Sequence, residues 1–230
     1  MTESQMLPPS QVHQPDEPAP QAEAPVAAVG RSARHWLFEG MLIVVSVLLG
    51  FGLSEFREAQ AERELTGRVL DGIRAEIEYN LSVLEPFVPM HTQWMAALAK
   101  VDTAEGHQSG VEVWFATRPR IPLDGTSTFP SLRRNAWDSA VAGGALRLID
   151  YEVAAALADV YGMQEQVTAN VQRLATGALS TPAIYEATSR PASVRLLGLT
   201  LADIQSAEAL LLSRYRQHLP AVTSAADAYK

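Results

Sequence analysis

Cysteine is absent from the 230 residues and lysine is almost absent, so arginine carries nearly all of the positive charge. Without thiols there are no disulfides, no thiolate metal sites, no thiol nucleophile and no lipidated cysteine anchor. The few cations are scattered among acids in a chain of net charge −8, which leaves no contiguous basic face for phosphates and argues against nucleic acid as a partner. Catalytic signatures are missing too. The nearest approach to a nucleophile elbow, Gly106-His-Gln-Ser-Gly110, has its serine misplaced, and there is no Ser-x-x-Lys and no phosphate-binding glycine loop ending in lysine. The histidines His13, His35, His91, His107 and His218 lack the Glu-x-x-His spacing that bundle metal sites need; only Glu105 and His107 lie close together. We therefore expect no enzyme, no metal and no cofactor.

What is present is one long apolar run. Trp36 to Ser54 holds nineteen residues, eleven of them Leu, Ile, Val or Phe, with Glu39 as the single charge. As a helix it covers roughly 28 Å, close to the thickness of bilayer hydrocarbon. Its apolar residues favour insertion by about 3 to 6 kcal/mol, which outweighs an acid near one end. A cleaved signal peptide fits poorly, because a Pro-rich stretch of 35 residues precedes the run instead of a short basic one. The expectation is a single span whose partner is the lipid bilayer. Ser46, Gly50 and Ser54 recur every four residues along it and form a candidate face for homo-oligomerisation.

Around the span the chain divides by composition. Residues 1–30 contain six prolines and no aromatic residue, the composition of a disordered leader. Residues 31–54 form the anchor, with Arg31, Arg34 and His35 beside it and Trp36 as an interfacial aromatic. Counting arginines alone, Arg57, Arg63, Arg68 and Arg74 after the span outnumber those before it and favour a cytoplasmic domain. They are interleaved with Glu55, Glu58, Glu62, Glu64 and Asp71, which neutralise them locally, so a periplasmic domain is preferred and the orientation stays open.

The rest predicts a mainly α, bundle-like soluble domain. Over residues 55–104 no proline interrupts Glu55 to Glu85, and Leu65, Val69, Ile73, Ile77, Leu81 and Leu84 form one apolar stripe. A coiled-coil register with Leu70, Ile77 and Leu84 at a puts Thr66 and Asn80 at d, so the seam looks limited to about two heptads and the stripe reads as a bundle wall. Pro86 and Pro89 are expected to end this helix and start a second, giving a helical hairpin. Residues 105–130 read as an irregular loop around the apolar patch Val111 to Phe115. Within residues 131–230, a helix is expected from Ser131 to Ala142, closed by Gly143 and Gly144. Asp150 caps a long one carrying Val153, Leu157, Val160, Val167, Val171 and Leu174. The last is expected to start at Thr200, with Asp203 completing a capping box, and to stop before Pro220.

Three stretches, EGMLIVVSVLLGFGL, LDGIRAEIEYNL and NAWDSAVAGGALRLID, together resemble an uncharacterised bacterial family of small single-pass membrane proteins, known mainly as a domain of unknown function. The resemblance covers about Trp36 to Leu174, and the chain departs from it in its Pro-rich leader and scarce lysine. It implies the inner-membrane architecture and supplies no catalytic residues. Trp94, Trp137 and Tyr161, with Arg133 and Arg134 as planar donors, are the candidate lining of a pocket. The function expected is a membrane-anchored helical interaction or scaffold protein with an unknown protein partner. The alternative is an extracytoplasmic small-ligand-binding or sensory domain.

Overall fold

A computed structural model describes residues 33–102, 106–119 and 127–229, with the side chains of 33–35 outside that set. The leader, Arg31, the side chains of Arg34 and His35, and Glu105 therefore lie outside the described residues. The fold is mainly α, with no strand among the described residues. Helix α1 spans Ala33–Ala99, α2 Gly110–Thr117, α3 Asn135–Ala142, α4 Tyr151–Thr176 and α5 Arg190–Asp227, with short 3₁₀ turns after α3 and between α4 and α5. The chain divides into two compact units at Gly52 and Leu53.

In the first unit, every residue from Trp36 to Gly52 is exposed, including Leu37, Phe38, Leu49 and Phe51 at about 70%. Apolar side chains point outward all round the helix, and none of the described residues covers them. Two stretches are long and apolar enough to cross a membrane, this one and Ala187–Asp227, which contains α5. They differ in what covers them: α5 buries a continuous edge of its apolar residues in the second unit, whereas none of the most apolar window of α1 is buried.

In the second unit, α1, α4 and α5 pack together through successive core clusters. Leu70 meets Ile149 and Ala226, Ile77 lies with Leu157 and Tyr215, and Trp94 lies with Leu174 and Leu197. These levels make α4 parallel to α1 and α5 antiparallel to both. The buried edge of α1 is Thr66, Leu70, Ile73, Ile77, Asn80, Leu84, Phe87, His91, Trp94 and Leu98. Its steps alternate between four and three residues, the heptad spacing of a bundle seam. The seam thus keeps the register that Thr66 and Asn80 had made look interrupted, and it runs far beyond two heptads. Leu65, expected on the stripe, is 41% exposed.

Pro86 and Pro89 do not end α1, so there is no hairpin within 55–104. Each proline removes the hydrogen bond to the carbonyl four residues earlier, on Ser82 and Glu85, both of which are exposed where water can serve them. Leu84, Phe87, Met90, His91 and Trp94 meanwhile bury the opposite side. Tertiary packing on one face outweighs two missing bonds on the other. Pro220 is likewise exposed and internal to α5, between buried Tyr215 and Val222. That helix begins at Arg190, ten residues before the expected cap, and Thr200 donates its hydroxyl to Leu196 O within it.

Residues 105–130 are not wholly irregular. Ser109 and Glu112 form a reciprocal capping box for α2, and its Gly110 packs so closely that a Cβ there would collide with that of Ser193. Residues 127–150 then descend beside α1 as a strap, in which Phe129 lies near His91, Arg133 meets Asn80, Ala136 meets Glu76 and Ile149 meets Leu70. The antiparallel neighbour expected from a hairpin is supplied by this strap. Its helical part starts at Asn135, not Ser131, and stops where Gly143 N–H bonds Ser139 O and Gly144 takes φ +66°.

Candidate functional site

The strap is held by polar side chains that occupy core positions of the seams. Asn80 is fully buried; its Oδ1 accepts from Arg133 N at 2.7 Å and its Nδ2 donates to Arg133 O at 2.7 Å. Gln164 of α4 donates to the same carbonyl at 2.9 Å and accepts from the Tyr215 hydroxyl at 2.7 Å. One amide from each of two helices thereby takes the place of a strand partner for an unpaired piece of backbone.

Glu76 does the same for α3, whose N-cap residue Arg134 makes no side-chain capping bond. The Glu76 carboxylate accepts from Ala136 N at 2.9 Å, Trp137 N at 3.4 Å and the Tyr161 hydroxyl at 2.6 Å. A carboxylate at free N–H groups of a first helical turn is also favoured by the helix dipole. Burial, then the Glu76 carboxylate, push the Tyr161 phenol well above its ordinary range, and burial pushes Tyr215 the same way. Both remain hydrogen-bond donors through the neutral range.

One level higher, His91 and Glu208 are both fully buried. His91 Nδ1 lies 2.6 Å from Glu208 Oε2 and its Nε2 lies 3.0 Å from Thr128 O. Rings pack around the imidazole, with centroids at 5.2 Å for Phe129, 5.8 Å for Phe87 and 6.2 Å for Trp94. Burial pushes the Glu208 carboxyl above its ordinary value, opposed in part by the bond to His91. Neither imidazole nitrogen is open to a substrate.

The five candidate pocket residues do not converge. Trp137 and Tyr161 stack with centroids 4.8 Å apart. Trp94 belongs to another cluster, 4.0 Å from Trp114, and donates to Thr117. The Arg133 guanidinium covers the Tyr79 ring at 3.5 Å, and Arg134 pairs with Asp138 at 3.0 Å. These are packing and surface roles, and two grooves on the second unit are lined by other residues. A groove of about 740 Å³ lies between Glu62, Arg63, Leu148 and Tyr229, and one of about 830 Å³ between Met95, Val101, Pro191 and Leu199. His107 is exposed, and no group of three metal-ligating side chains occurs among the described residues.

On the first unit, a Cβ at Gly50 would meet nothing within 4 Å, and Ser46 donates to Leu42 O at 2.8 Å, so its hydroxyl is satisfied inside its own helix. Ser54, at the start of the second unit, is exposed. No family model, curated protein or solved structure matches the chain.

The residues that organise the bundle, Glu76, Asn80, Gln164 and the pair His91 and Glu208, were not singled out as a site from the sequence. A signal was available: Asn80, His91, Gln164 and Glu208 are polar residues at a spacing where the seam demands an apolar one, and Glu76 lies beside that edge. Gln164, for instance, fills the gap between Val160 and Val167.

Proposed function

We propose that the chain is a single-pass protein of a bacterial inner membrane whose helical domain acts as an interaction or scaffold module without catalysis. The observation that carries this reading is the run Trp36 to Leu53, apolar on every side and exposed on every side. In water such a helix forfeits about 25 cal/mol for each Å² of uncovered apolar surface, and lipid removes that cost. The commitment of the central polar side chains to strap backbone supports a structural role for them. The resemblance to small single-pass bacterial proteins belongs to the same proposal, as does a periplasmic position for the domain.

A cysteine-free chain makes the test direct. Ser127→Cys in the strap and Ser10→Cys in the leader are labelled separately with a membrane-impermeant maleimide in intact cells. Labelling at 127 alone supports the periplasmic domain; labelling at 10 alone reverses the orientation; labelling of both only after lysis argues against a span.

The groove bounded by Met95, Val101, Pro191 and Leu199 favours the alternative, a small-ligand-binding or sensory domain, because its volume suits a small molecule. A thermal shift of the full chain in detergent with a panel of small amphiphilic acids separates the two. A saturable rise supports ligand binding, and flat melting supports the scaffold.

A further inference from the structure

We infer that His91 and Glu208 share a single proton in a neutral pair, and that this pair is a pH-sensitive latch fastening the strap to α1 and α5. Geometry limits where protons can sit. Thr128 O only accepts, so the Nε2 that lies 3.0 Å from it carries a hydrogen. The contact of 2.6 Å between Nδ1 and Oε2 needs one proton between two groups that both have lone pairs. Two protons there collide, and none leaves a carboxylate against an imidazole lone pair.

The other carboxyl oxygen, Oε1, is buried with no hydrogen-bond donor among the described residues. An orphaned carboxylate oxygen costs much more than an orphaned carbonyl oxygen, which places the shared proton on Glu208. Glu208 then donates to Nδ1, and the imidazole passes the constraint on by donating from Nε2 to the strap.

Among the described residues the surroundings offer no countercharge that would favour an ionised pair. On α1 the neighbours are the rings of Phe87 and Trp94, and on the strap the Thr128 carbonyl and the Phe129 ring. On α4, Val171 and Leu174 share the cluster of Trp94 at this level. On α5, Glu208 itself faces the ring. The cation on the strap side, Arg118, reaches the Thr128 hydroxyl at 3.3 Å from the exposed side. The upward shift of the Glu208 carboxyl by burial agrees with the proton's placement.

The linkage has a definite sign. A Glu208 that keeps its proton when folded and loses it near its ordinary pKa when unfolded makes folding consume one proton. Stability from this group is complete below the unfolded value and declines as pH rises. The latch therefore loosens with alkalinity.

The test compares the full chain with its Glu208→Gln variant in detergent micelles, by urea unfolding followed through tryptophan emission between pH 5.5 and 8.5. Glutamine donates to Nδ1 as the protonated acid does but does not titrate, and contributions common to both proteins cancel in the ratio. The wild-type unfolding constant divided by that of Glu208→Gln is expected to rise with pH, by up to about tenfold per unit while the folded Glu208 keeps its proton. A ratio independent of pH overturns the latch. The wild-type His91 ring, read by its ¹⁵N shifts, gives an answer that does not depend on the variant folding. One protonated and one bare nitrogen are expected; an imidazolium pattern contradicts the neutral pair.

Discussion

Two stretches of the same helix follow opposite rules. From Trp36 to Leu53, α1 is apolar on all sides, buries nothing, and carries Glu39 as its one charge. From Thr66 to Leu98 it is amphipathic, buries one edge, and places Thr66, Asn80 and His91 within that edge, with Glu76 beside it. A helix cut for hydrocarbon needs no seam, because every direction is equivalent and backbone groups satisfy one another. A helix packed in a bundle needs a seam, and here the seam also serves a strap that lacks regular hydrogen bonding along much of its length. Polar residues are scarce where the run from Trp36 to Leu53 is exposed and present on the edge that the stretch from Thr66 to Leu98 buries, the reverse of what water alone would select.

The largest effect is expected from erasing that difference. Val45→Arg with Leu48→Arg puts two guanidinium groups in the middle of the run, at about 2.5 to 3.5 kcal/mol each against a total of about 3 to 6 in favour of insertion. The variant should leave the membrane fraction, as read by fractionation after an alkaline wash. Next is Asn80→Ala, which strips the Arg133 N–H of its acceptor and should destabilise the bundle by about 2 to 4 kcal/mol in denaturant unfolding while leaving membrane retention intact.

Alkali sharpens the contrast further. Tyr161 and Tyr215 have folded values raised above the ordinary phenol range, so the unfolded chain ionises first and stability is lost as pH climbs past about 10. Tyr161→Phe should lower the pH slope of the unfolding constant there by about one proton, measured on the full chain in micelles. Pro89→Ala restores a hydrogen bond on the exposed side and should stabilise the domain by about 1 to 2 kcal/mol. The smallest effect is expected at Gly50→Ile, which should reduce self-association in a membrane two-hybrid assay only if the Ser46, Gly50 and Ser54 face is used.

Local signals were legible, and signals that depend on distant partners were not. The apolar run, the Asp150 cap, the Gly143–Gly144 stop and the stripe of α4 follow from residues a few positions apart. The persistence of α1 through Pro86 and Pro89 depends on which face those prolines occupy, and that is decided by packing against α4, α5 and the strap. Thr66 and Asn80 made the seam look broken because the acceptor and donor that satisfy Asn80 lie 53 residues away in the strap. The α2 helix is different: Ser109 and Glu112 ahead of Val113 to Phe115 form a capping signature that was present and outweighed by the surrounding glycines and prolines. Of the residues proposed for a pocket, Trp137 and Tyr161 stack, whereas Trp94 lies in another cluster and Arg133 and Arg134 turn to Tyr79 and Asp138, and spacing along the chain gives no means of telling those apart.

The most direct test of the proposed tether uses the absence of cysteine. Val45→Cys and Gln60→Cys, each the only thiol in its protein, are challenged with a polar maleimide in opened native membranes and again after denaturation. Protection at 45 with ready labelling at 60, and equal labelling once lipid and fold are removed, is the predicted result. Equal labelling of both positions in intact membranes would contradict a change of solvent along α1, and with it the membrane anchor.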